Sequence, residues 1–144
     1  MQGPTFRSVA LTVLSFLVVT FAVQATSHFV INTGHYAAIP IMRAEPIMAL
    51  GILVMLIQGT VAGLLYPAVR LKASGIKRGV IFGWLLGAFL ASYIVLTEPA
   101  KYEVPSISAW MWVEGLASFV QFTLFGVLLA VVHRRSEHED NGAH

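Results

Sequence analysis

The chain has 144 residues, of which 57% are hydrophobic and 11% charged, with a formal net charge of +2. A soluble domain carries about 25% charged residues, so this composition cannot cover a water-facing surface and excludes a soluble globular fold. The absence of cysteine excludes thiol–disulfide chemistry, thiolate metal sites and iron–sulfur clusters, while leaving the redox compartment open.

A helix that crosses a bilayer needs roughly 20 apolar residues. The first uncharged run extends from Ser8 to Ser27, between Arg7 and His28. The second runs from Pro46 to Val69, between Glu45 and Arg70, and the third from Gly79 to Thr97, between Arg78 and Glu98. The fourth lies between Glu114 and His133. Each is too long for a strand, and a bilayer demands that backbone groups be satisfied within the segment, so all four read as helices. The expectation is an all-α membrane protein: one four-transmembrane-helix bundle over residues 1–135, with helices at about 8–28, 46–69, 77–97 and 106–133. The polar tail SEHEDNGAH, residues 136–144, is expected to be disordered.

A rival reading makes the first segment a cleaved signal peptide, with Arg7, an apolar core and Val23-Gln24-Ala25 as a small-residue cleavage site. Its apolar run exceeds the about 7–15 residues of a signal core, which favours a retained span.

The basic residues orient the bundle. Arg7, Arg70, Lys72, Lys77, Arg78, Arg134 and Arg135 fall at one end, and only Arg43 and Lys101 at the other. The positive-inside rule then puts both termini in the cytoplasm and His28 and His35 on the outer side. The sequence pI near 9.2 reflects this distribution, and no nucleic-acid partner is needed to explain it.

Two sequence patterns bear on packing. Gln58, Thr60, Gly63 and Leu65 of the second helix match Gln121, Thr123, Gly126 and Leu128 of the fourth at one fixed offset. That match raises a duplicated helical hairpin with parallel repeats, against chance agreement among common membrane residues. In the third helix Gly75, Gly79, Gly83, Gly87 and Ala91 recur every four residues, and Gly51, Gly59 and Gly63 share a face of the second. Such small-residue grooves let backbones approach closely. The simplest expectation packs the second helix against the third. The alternative turns one groove outward to a partner subunit, in a homo-oligomer or a larger membrane complex. Trp110 and Trp112 are expected in the aromatic belt at the outer interface.

Most ionisable chemistry lies on the outer side: His28, His35, Tyr36, Arg43, Glu45, Glu98, Lys101, Tyr102, Glu103 and Glu114. His28, His35, Glu45, Glu98 and Glu114 form a candidate ligand cluster, and imidazole with carboxylate suits a divalent metal ion. The six-residue gap between the two histidines is no known ligand signature, so no cofactor is expected outright. Glu114, Ser118, Gln121 and Phe125 share a face of the fourth helix. Gln24 and Gln58 are candidates to join them along a solute or proton path, since ionisable groups in a membrane segment point to function. The plain alternative for each residue is ion pairing, interfacial anchoring or interhelical hydrogen bonding. Phosphate loops and nucleophile elbows are absent. The run RLKASGIKRG, residues 70–79, is an orienting loop that suits anionic headgroups.

The order of features also resembles a known class. PIMALGILVMLIQGTVAGLLYP is followed by a basic loop, RGVIFGWLLGAFLAS, an AKYEVP turn and an aromatic-rich last helix. From about His28 to Arg135 this is similar to small bacterial four-helix membrane proteins of the domain-of-unknown-function type. The resemblance implies the fold and a bacterial inner-membrane location, and transfers no catalytic residue. The leading functional expectation is a non-catalytic membrane component or helper subunit that associates through small-residue helix faces. The alternatives are a transporter of a small solute or ion using the Glu114 face, and a membrane enzyme or metal site at the outer polar cluster.

Overall fold

In the computed structural model the backbone is described for residues 4–41, 43 and 45–142, and side chains as far as Arg134. Helix α1 spans Phe6–Thr26 and begins where the Thr5 side chain accepts a hydrogen bond from the Ser8 amide at 3.1 Å. Such a cap satisfies an amide that has no intrahelical partner. The helix widens into a π-helical turn over Ser27–Ile31, and after Asn32 comes the short α2, Thr33–Ala37. Helix α3 spans Met48–Ala68 and α4 spans Gly75–Ser92. A second π-helical turn, Tyr93–Thr97, leads to α5, Glu98–Lys101, and then to α6, Ile107–Gly142. The order of long helix, π-helical turn, short helix and long helix thus occurs twice.

Among the described residues every regular element is helical, and four helices are long and apolar enough to cross a membrane: Phe6–Ile31, Met48–Ala68, Gly75–Lys101 and Ile107–Arg134. Their outward faces are apolar too. Leu53, Val54, Leu56 and Ile57 of α3 and Phe89 of α4 are exposed, which suits hydrocarbon and would be costly in water.

Close contacts fix an alternating arrangement. Gly59 lies against Val13 and Phe16, and Gly63 against Val9 and Thr12, so α3 runs antiparallel to α1. Gly79 lies on Gly126 and Ala130, Gly83 on Phe122 and Gly126, and Gly87 on Phe122, so α4 runs antiparallel to α6. The two hairpins meet along α1 and α6, where Gln24 bonds Gln121. The expected pairing of second with third helix is corrected: α3 packs chiefly on α1, and α4 chiefly on α6. Each glycine groove closes against the other helix of its own hairpin. Short connections favour such neighbours.

Two glycines leave the ladder. Gly51 has open space where a side chain would stand, and so does Gly75, whose φ of 54° starts α4. Gly75 therefore serves backbone conformation rather than packing, because a residue with a Cβ is strained there. Trp110 also departs from expectation. It is buried, and its indole N–H donates to the carbonyl of Ile94 at 2.9 Å, inside the second π-helical turn. Trp112 alone of that pair is exposed. The last helix runs on through Gly142 into the stretch expected to be disordered. Extending a helix already nucleated in the membrane is inexpensive, and nothing before Gly142 breaks it. The core centres on Phe16, Phe125 and Leu129, all fully buried, with the Phe16 and Phe125 rings edge-on at 4.9 Å.

Arg78 ties the α3–α4 loop together. Pro67 in the last turn of α3 has no amide hydrogen, and the final carbonyls need donors. Arg78 Nη2 donates to the carbonyls of Tyr66 at 2.8 Å and Val69 at 3.1 Å. A cation at a helix C-terminus also complements the helix dipole.

Candidate functional site

The end of α1, the turn after it, α2 and the start of α6 converge on Glu114. Glu114 is only 5% exposed. The Tyr36 hydroxyl donates to Glu114 Oε1 at 2.6 Å, a short charge-assisted bond. Ser27 Oγ lies 3.5 Å from the same hydroxyl and accepts from Asn32 Nδ2 at 3.0 Å. Burial, and secondarily the bond to Glu114, raise the Tyr36 phenol well above its ordinary value, so it remains a donor at every physiological pH.

His28 stacks on the Tyr36 ring, with centroids 3.6 Å apart and planes 12° from parallel. Its Nδ1 meets the carbonyl of Gln24 at 2.9 Å. A carbonyl only accepts, so Nδ1 carries the hydrogen in this contact and Nε2 is the acceptor of the neutral ring. His35 sits edge-on to Tyr36 at 5.2 Å and 5.9 Å from the Trp110 ring. Its Nε2 is buried without a hydrogen-bond partner.

Below Glu114 the polar groups continue inward between α1 and α6. Ser118 and Gln121 are both buried. Gln24 Nε2 donates to Gln121 Oε1 at 2.8 Å, and Gln121 Nε2 donates to Thr20 Oγ1 at 3.0 Å. Both amides are thereby fixed in orientation. Next comes an apolar layer of Phe16, Phe122, Phe125 and Leu129. Beyond it Thr12 Oγ1 donates to the Ser8 carbonyl at 2.8 Å and lies 3.2 Å from His133 Nε2. The single Thr12 hydroxyl hydrogen is used on Ser8, so His133 Nε2 donates to Thr12. Gln121 and His133 are separated along α6 by about 18 Å of helix, at ~1.5 Å per residue. The seam thus holds polar groups at both ends and a closed aromatic layer between.

Of the predicted cluster, His28 and Glu114 are joined through Tyr36, and His35 touches Tyr36 from its edge. Glu45 is exposed in the loop before α3, and Glu98 is half-buried at the start of α5. Among the described residues no three of His, Cys, Asp and Glu gather where they could hold a metal ion. Gln24 and Gln121 meet in the α1–α6 seam, Ser118 is buried on α6 beside Gly87 and Ala88 of α4, and Gln58 is half-buried on α3 and takes no part in the Gln24–Gln121–Thr20 chain. The sequence places Tyr36 only in the outer polar group, and Thr12, Thr20, Ser27 and His133 carry no role in it. A signal for the first helix exists: Ser8, Thr12, Phe16, Thr20 and Gln24 recur every four residues, one face of a helix that reads as uniformly apolar by composition.

No family model, curated protein or solved structure matches the chain.

Proposed function

We propose that the chain carries a small cation, the proton included, across a bacterial inner membrane along the α1–α6 seam, with Glu114 as the binding group. One observation carries the reading: a buried carboxylate, held by Tyr36 at 2.6 Å, heads a line of polar side chains that runs inward to Thr20. Burying a charge is expensive unless it is hydrogen-bonded, and such groups inside membrane proteins generally serve transport or proton relay. Its inner part is narrow, with Gln24, Gln121 and Thr20 bonded directly to one another, which favours an ion over a larger solute. Phe16 and Phe125 close it in this conformation, so passage requires the two hairpins to move against each other. The repeated element order and the matched Gly63 and Gly126, each facing its hairpin partner, support a duplicated hairpin, the kind of architecture in which two halves move as units. The seven basic residues at one end support a cytoplasmic location for both termini.

The helper-subunit reading has less support. Gly59, Gly63, Gly79, Gly83 and Gly87 are all covered within their own hairpins, which leaves no small-residue groove of that ladder for a partner. The resemblance to small bacterial four-helix membrane proteins agrees with the proposed location and is silent on the transported species.

The test is proton flux into liposomes containing the purified chain and a trapped pH dye, driven by a potassium diffusion potential. Wild type should conduct above empty liposomes, and Glu114→Gln should abolish the excess. Flux unchanged in Glu114→Gln, or wild type no faster than empty liposomes for protons, sodium and potassium alike, would overturn the reading.

A further inference from the structure

A cavity of about 460 Å³ opens at the end of the bundle opposite Glu114, where the α3–α4 loop meets the last turns of the α6 span. Tyr66, Ser74, Arg78, His133 and Arg134 line it, and among the described residues none of the lining is acidic. The Tyr66 ring lies against two of these groups. The Arg78 guanidinium carbon lies 4.5 Å from the Tyr66 ring centre, and the His133 ring lies 4.9 Å from it. The carbonyl contacts of Arg78 fix its position without neutralising its charge. Ser74 precedes α4 but gives that helix no side-chain cap, so its hydroxyl is not spent on the helix.

Two guanidinium groups around one cavity repel each other. With no carboxylate among the described lining residues, an anion is the species that relieves the repulsion. Arginine presents a planar fork of donors that matches phosphate oxygens, and holds that geometry better than a lysine. We propose that this cavity binds a phosphate group, supplied either by a lipid headgroup at the membrane surface or by a soluble phosphate. Arg78, already anchored by α3, is the fixed arm of the site. Arg134, exposed on α6, is the arm that closes on the anion, and Ser74 supplies a neutral donor. The cavity lies apart from Glu114 and the polar line below it, so this assignment stands whether or not the seam conducts.

The test uses the full chain in a nonionic detergent and follows its thermal unfolding. The probes are dioctanoyl phosphatidylglycerol, inorganic phosphate and, as a phosphate-free control, dioctanoylglycerol. At least one phosphate probe should raise the unfolding temperature saturably, and dioctanoylglycerol should not. Arg134→Gln should weaken that response about tenfold, the loss of one charge-assisted donor. A response to phosphatidylglycerol alone assigns the site to a lipid headgroup, and a response to inorganic phosphate assigns it to a soluble ligand. Arg78→Gln should also lose the response; because it uncaps α3 it can fail to fold, and Arg134→Gln then decides alone. No saturable shift with either phosphate probe, an equal shift with dioctanoylglycerol, or an unchanged response in Arg134→Gln would each overturn the proposal.

Discussion

Tyr36 and Glu114 lie 78 positions apart in the chain and meet through a 2.6 Å hydrogen bond in which both partners are buried. The bond joins the short helix after the first span to the start of the last one. Tyr36→Phe keeps the ring stacked on His28 and removes only the donor. Leaving a buried carboxylate short of a partner costs about 1–3 kcal/mol, and the unfolding temperature in detergent should fall accordingly. Glu114→Gln retains an acceptor for Tyr36, so its loss of stability should be smaller, below ~1 kcal/mol. A Tyr36→Phe protein as stable as wild type would show that the bond is not made.

The same pair sets an alkaline response. The Tyr36 phenol is raised above its ordinary value, so the folded state holds that proton more tightly than the unfolded state does. The corresponding stability is therefore fully present below the unfolded value of about 10 and is lost as pH rises beyond it. An alkaline titration followed by tyrosinate absorbance should show phenol ionising late, and Tyr36→Phe should lower the amplitude of that late step. A titration curve identical in shape for the two proteins would contradict the assignment.

Gln24 and Gln121 join the two hairpins by a bond of 2.8 Å. Interhelical hydrogen bonds in membranes average about 0.6 kcal/mol and reach ~1.7 kcal/mol. A double-mutant cycle of Gln24→Ala and Gln121→Ala should return a coupling in that interval. Gln121 also bonds Thr20, so Gln121→Ala alone should cost more than Gln24→Ala alone.

The glycines separate by position. A side chain added at Gly83 would run into the Phe122 carbonyl and the backbone of Gly126, and backbone cannot yield as a flexible side chain can. Gly83→Ala should destabilise by about 1–3 kcal/mol, the ordinary cost of overpacking. Gly115, with open space around it, should accept alanine at no cost, since alanine is the better helix former. Thermal unfolding of the two variants side by side checks the contrast.

Much of this fold is legible because the bilayer leaves few solutions. Uncharged length alone marks the four spans, and glycines spaced by four mark the faces where helices touch. The partner of each face is not legible, since a small-residue groove accepts any helix; Gly83 meets Phe122 and Gly126 rather than the second helix for reasons of three-dimensional arrangement. The face of Glu114, Ser118 and Gln121 is readable from helical periodicity. On the facing helix Gln24 is readable as a polar residue in an apolar run, whereas Thr20 is masked by the apolar average of α1. Tyr36 is hardest to read, because its place beneath His28 depends on the π-helical turn at Ser27–Ile31, and such turns carry no local sequence signature. Trp110 shows the converse: an indole typical of the interface turns inward because the Ile94 carbonyl offers an acceptor there.

The absence of cysteine from the chain makes one measurement unusually direct. Single cysteines placed at Gln121, Phe125 and His133 can be challenged with a small, membrane-impermeant cationic thiol reagent from each side of sealed vesicles. The account predicts that Gln121→Cys reacts from the Glu114 side and His133→Cys from the opposite side. Phe125→Cys, in the apolar layer, should react slowly from either side until the hairpins move. Protection of Gln121→Cys from both sides, under conditions where an exposed control such as Trp112→Cys is modified, would show a sealed interior and contradict a path through the α1–α6 seam.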